Sequence, residues 1–85
     1  MIILLYFDWA GSRAELKEYN EKIKAACEQV GVRFMGIYGS MNVKWNFVSM
    51  FEVESYEHFL KMGRQVSQHP AMTHYITEIL IPQKL

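Results

Sequence analysis

Eighty-five residues, with nine Lys+Arg against nine Asp+Glu, make a neutral chain with room for a single domain. Balanced charge without a basic cluster excludes the electrostatic footprint of a nucleic-acid binder. A hydrophobic fraction of 51%, including two Trp, five Phe, five Tyr and six Met, is more apolar surface than so small a globule hides, so self-association is expected.

The first strand, Met1 to Trp9, organises the rest. Ile2 to Phe7 carries no charge, with Ile3, Leu5 and Phe7 on one side and Ile2, Leu4 and Tyr6 on the other. A strand apolar on both sides needs cover on both, which places it in the middle of a sheet. It lacks the basic flank and cleavage site of a signal peptide, and no stretch approaches the roughly 20 apolar residues of a membrane span. With Cys27 as the single cysteine, the expectation is a cytoplasmic protein without a disulfide or a membrane partner.

Ala10-Gly11 turns the chain and Ser12-Arg13-Ala14-Glu15 fits a capping box. Leu16, Tyr19, Ile23, Ala26, Cys27 and Val30 then form one helical stripe, and Gly31 stands where a left-handed C-terminal residue is wanted. Val32 to Tyr38 reads as the second strand, Gly39 to Val43 as a hairpin loop, and Lys44 to Val53 as the third strand. Ser55 caps a second helix whose expected buried stripe is Tyr56, Phe59, Leu60, Gly63 and Val66, and which His69-Pro70 should stop. His74 to Ile81 is the fourth strand.

The order is βαββαβ. Right-handed crossovers set strands 1 and 3 side by side in the centre, with both helices on one face: an α+β, ferredoxin-like plan. That plan leaves one sheet face bare, and two such faces packed together would form a homodimer, a dimeric α/β barrel.

The segment Asn46-Phe47-Val48-Ser49-Met50-Phe51-Glu52-Val53-Glu54-Ser55 resembles the third strand and helix cap of muconolactone isomerases. It also resembles the stress-responsive and antibiotic-biosynthesis monooxygenase members of the dimeric α/β-barrel superfamily. The break at His69-Pro70 is similar to the one that follows their second helix. The resemblance implies homodimers, or higher oligomers, with a cavity for a small, largely apolar organic ligand. Any chemistry would be cofactor-free isomerisation or oxidation. Haem-degrading relatives carry an Asn on the first strand and a Trp and His on the second helix. Here the first strand offers Tyr6 and Asp8 and the second helix only His58, so no haem or other cofactor is expected.

Four residues are candidates for proton transfer. Tyr6 and Asp8 share a strand face at the end of strand 1, where a carboxylate at a cavity mouth can act as a base and the phenol as a donor. Glu52 interrupts an apolar central strand and either faces a cavity or pairs with a base such as Arg33; His74 begins the fourth strand. Tyr38, Trp45, Asn46 and Met50 are candidate ligand contacts, although aromatic and methionine side chains on a sheet face more often form interface core. His58 is expected to face water. His69 and His74 can meet across a loop, but no complete metal-ligand set is present. Cys27, on the buried stripe, reads as inert packing. A competing reading is a non-catalytic protein whose whole bare face is used in assembly.

Overall fold

The apolar first segment becomes strand β1 (Ile2–Trp9) of the computed structural model, which describes residues 1–39 and 46–85. It is followed by α1 (Arg13–Val30), β2 (Arg33–Gly39), β3 (Phe47–Glu52), α2 (Tyr56–Gly63) and β4 (Met72–Leu80). The sheet order is β2-β3-β1-β4 and every neighbouring pair is antiparallel. The expected hairpin and the start of the third strand fall partly on residues 40–45, outside the described residues.

Local chemistry sets the limits of α1. Glu15 N–H donates to Ser12 Oγ at 3.1 Å and Ser12 N–H donates to Glu15 Oε1 at 3.0 Å, so the capping box closes from both sides. The main-chain bond from Ser12, and then its side-chain bond, hold the Glu15 carboxyl below its usual pKa. At the other end Gly31 takes φ 73°, and its N–H reaches the Cys27 carbonyl.

The second helix is shorter than its apolar spacing suggests. Ser55 caps it as expected, accepting a bond from His58 N–H at 3.2 Å, but it ends at Gly63 and does not run on to His69. Beyond Gly63 the bonds tighten to three-residue steps, Gln65 N–H to the Met62 carbonyl and Val66 N–H to the Gly63 carbonyl. Its deepest residue is Met62, which the predicted stripe omits, whereas Tyr56 is exposed. Phe59 and Val66 do pack on the core.

Register assigns the two sides of β1. Ile3 lies between Phe51 and Ile79, Leu5 between Ser49 and Thr77, and Phe7 between Phe47 and Tyr75. These face the helices, where Ile3, Phe7, Phe51, Cys27 and Met62 are sealed from solvent. The opposite face carries Ile2, Leu4, Tyr6 and Asp8 of β1, with Val48, Met50 and Glu52 of β3 and His74, Ile76, Glu78 and Leu80 of β4 alongside. Both described helices pack on the Ile3, Phe7 and Phe51 side of the sheet and leave that face uncovered.

One edge of the sheet is irregular. The register of β2 against β3 shifts between Phe34 and Gly36, and Gly36 takes φ 112°, open in practice to glycine alone. The Tyr38 ring lies over it, and its hydroxyl donates to the Met35 carbonyl at 3.0 Å.

Candidate functional site

On the open face the register brings Asp8 and His74 into one cross-strand row. The Asp8 side chain is only 19% exposed. Its Oδ1 accepts the Asn46 N–H at 3.0 Å and its Oδ2 lies 3.8 Å from His74 Nδ1, within ion-pair range though beyond a hydrogen bond. Tyr6 stands one row further along the same face, between Val48 and Ile76. Three of the four predicted proton-transfer residues thus occupy adjacent rows. Tyr6, with Ile76, Thr77 and Glu78, lines an open groove of about 280 Å³.

The fourth candidate is elsewhere. Glu52 lies at the other end of β3, opposite Ile2 and Arg33, and its Oε1 is 3.6 Å from Arg33 Nη1 with both side chains well exposed. Among the predicted ligand contacts, Met50 and Tyr38 lie on the open face near its β2 edge, at the positions paired with Leu4 and with Val48. Asn46 takes part through its main chain, and Trp45 is outside the described residues.

The remaining histidines differ from the sequence reading. His58 does not face water. Its Nδ1 accepts the Glu54 N–H at 3.2 Å and its Nε2 donates to the Val30 carbonyl at 2.6 Å, which fixes the Nε2–H tautomer and ties the start of α2 to the end of α1. His69 does not meet His74. Its ring packs 4.7 Å from Trp9 and 5.7 Å from Tyr19, and its Nδ1 accepts the Ala71 N–H at 3.0 Å. Trp9 is a member of this aromatic group, with its Nε1–H donating to the Ser12 carbonyl. Burial within it pushes the Tyr19 phenol upward. The spacing of Trp9, Tyr19 and His69 carries no signal of this cluster, because three separate elements supply it. Among the described residues, no three of His, Cys, Asp and Glu gather as a metal site.

Two further concavities lie on the helix side. One of about 530 Å³ opens between α1 and the chain from Gln65 to Pro70, and one of about 350 Å³ between α2 and β4. None of the predicted site residues lines either of them.

A crystal structure of an uncharacterized NIPSNAP domain protein from Burkholderia xenovorans superposes on this chain with a TM-score of 0.56 at 13% identity. The match covers 98% of this chain and 95% of that one. The fold is ferredoxin-like. This likeness, over almost the whole of both chains, agrees with the β2-β3-β1-β4 order and with two helices on one face of the sheet. No protein-family model matches the chain, and no curated protein matches it either. No described helix of this ferredoxin-like chain is long and apolar enough to cross a membrane.

Proposed function

We propose that the chain forms a homodimer through its open sheet face and binds a small, largely apolar organic molecule beside the sheet, where Tyr6, Asp8 and His74 converge. The observation that carries this reading is the half-sequestered Asp8 carboxylate at one end of an apolar face, anchored by the Asn46 N–H and adjacent to an imidazole. A second sheet laid on Leu4, Val48 and Ile76 would exclude water and strengthen these polar contacts.

The chemistry that suits the group is proton transfer without a cofactor. Asp8 Oδ2, left free by the Asn46 bond to Oδ1 and standing beside His74 Nδ1, is the base. It can take a proton from the carbon between a carbonyl and a carbon–carbon double bond while Tyr6 supports the oxygen of the dienolate, and return it at the far end of that double bond, which shifts into conjugation. The sum of those steps is an isomerisation. A non-catalytic assembly is the second reading, favoured by the exposed ion pair that occupies Glu52 and by the open shape of the groove beside Tyr6.

Native mass spectrometry of freshly purified protein tests the binding reading. A particle carrying a few hundred daltons of extra mass, lost in Asp8→Asn, is the expected result. A ligand-free particle that takes up no small aromatic compound or lactone overturns it in favour of assembly.

A further inference from the structure

The outer strand β4 exposes apolar side chains on both faces. Ile76 and Leu80 lie on the open side and Tyr75 and Ile79 on the helix side, with Tyr75 54% and Ile76 52% exposed. Its nine residues contain no Lys, Arg or Pro, the residues that ordinarily protect a sheet edge from pairing. The opposite edge, β2, has two residues fewer and carries Arg33, a bulge and two glycines.

Main-chain direction shows what β4 offers. Val53 N–H donates to the Met1 carbonyl at 3.0 Å, so odd residues of β1 turn their peptide groups to β3 and even ones to β4. Ala10 N–H donating to the Ala71 carbonyl at 2.7 Å agrees. Within β4, His74, Ile76 and Glu78 therefore bond to β1, while Tyr75, Thr77 and Ile79 present N–H and C=O groups at the free edge.

The charges on this strand are complementary to themselves. In an antiparallel pair of two β4 strands centred on Ile76, Tyr75 of each copy meets Thr77 of the other through outward peptide groups. His74 of each copy meets Glu78 of the other, twice. Side chains at such non-hydrogen-bonded positions stand closest across the seam. Centring on Thr77 would set Glu78 against Ile76, and centring on Glu78 would oppose two carboxylates. Glu78, opposite Leu4 on an apolar face, has no ion-pair partner among the described residues. His74 Nδ1 is turned to Asp8, which leaves Nε2 for the second carboxylate.

We propose that β4 is a self-pairing strand that joins two copies edge to edge into a continuous eight-stranded sheet, in the register that sets His74 against Glu78. This interface is separate from the face pairing proposed above and does not depend on it. With both interfaces the particle holds four chains; with the edge alone it holds two.

Sedimentation velocity and amide exchange test it. Thr77→Pro removes an N–H that points away from β1, so the internal ladder is spared while the seam is blocked. The expected result is half the wild-type mass, together with slow exchange of the Tyr75 and Thr77 amides in wild type. Val48→Glu, on the open face, separates the two interfaces: it halves a four-chain particle and leaves a two-chain edge pair unchanged. Glu78→Lys and His74→Glu should each halve the mass alone and restore it when mixed. In the mixed seam the introduced lysine of one copy faces the introduced glutamate of the other, and the remaining native pair, His74 and Glu78, is kept. A single-chain wild type, fast exchange at Tyr75 and Thr77, or a mixture that stays at half mass overturns the proposal.

Discussion

The two sides of β1 are built from the same kinds of residue and have different fates. Ile3, Leu5 and Phe7 meet Cys27, Met62 and Leu16 of the helices, and Ile3 and Phe7 are sealed from solvent. Ile2, Leu4 and Tyr6 on the other side are only half-buried, although no less apolar. The difference comes from connectivity: both crossovers in a βαββαβ chain are right-handed, so both helices land on one face. Hydrophobic content states how much cover a strand needs, and topology decides which side the chain itself can supply.

The largest expected effect breaks the covered side. Phe51→Ala removes a ring packed at 5.3 Å from both Phe34 and Phe59 and should cost about 3–5 kcal/mol in chemical unfolding. Leu4→Ala, its counterpart on the open side, should cost about 1 kcal/mol in a single chain, since a half-buried side chain loses less contact with water on folding. If the two variants lose equal stability under conditions where the chain is single, the open face is covered from within the chain.

Gly36→Ala asks whether the β2 bulge is a requirement. At φ 112° a side chain is strained, and a loss of about 1–3 kcal/mol is expected in thermal unfolding, with no change in particle mass. Ser12→Ala removes half of the capping box for about 1 kcal/mol. It should also flatten the acid limb of the stability curve. The Glu15 contribution is present above the ordinary carboxylate pKa and is lost as pH falls through the depressed value in the folded chain.

The smallest effect concerns Cys27, whose thiol is pushed up to about 11 by burial, with Glu28 adding to the shift. The sign follows from linkage: the unfolded chain ionises first, so this contribution is intact below about pH 9 and is lost as pH rises toward 11. Stability of wild type relative to Cys27→Ala should therefore fall across that window. The native thiol should also resist alkylation at pH 8 until the chain unfolds.

Most of the fold was legible because local signals agreed with the global plan. The uncharged run of β1, the Ser12 box and Gly31 each name one conformation, and all three are as read. The end of α2 was hidden because Val66 continues the helical spacing after the helix has stopped; only Gly63 hinted at a break. The site was legible in part. Two residues apart on one strand, Tyr6 and Asp8 had to share a face, whereas the approach of His74 depends on a long-range register that no local pattern encodes. The Val30 carbonyl that receives the His58 proton was equally out of reach, 28 positions away along the chain.

The bulge at Gly36 has a consequence for growth. A sheet with two accommodating edges can add copies without end, which is the geometry of a fibril. Here the β2 ladder is interrupted between Phe34 and Gly36, and Arg33 stands at its start. With one edge blunted, the β4 pairing proposed above would end addition along the sheet after a single joining event, so a strand as apolar as β4 is compatible with a finite particle and not a polymer.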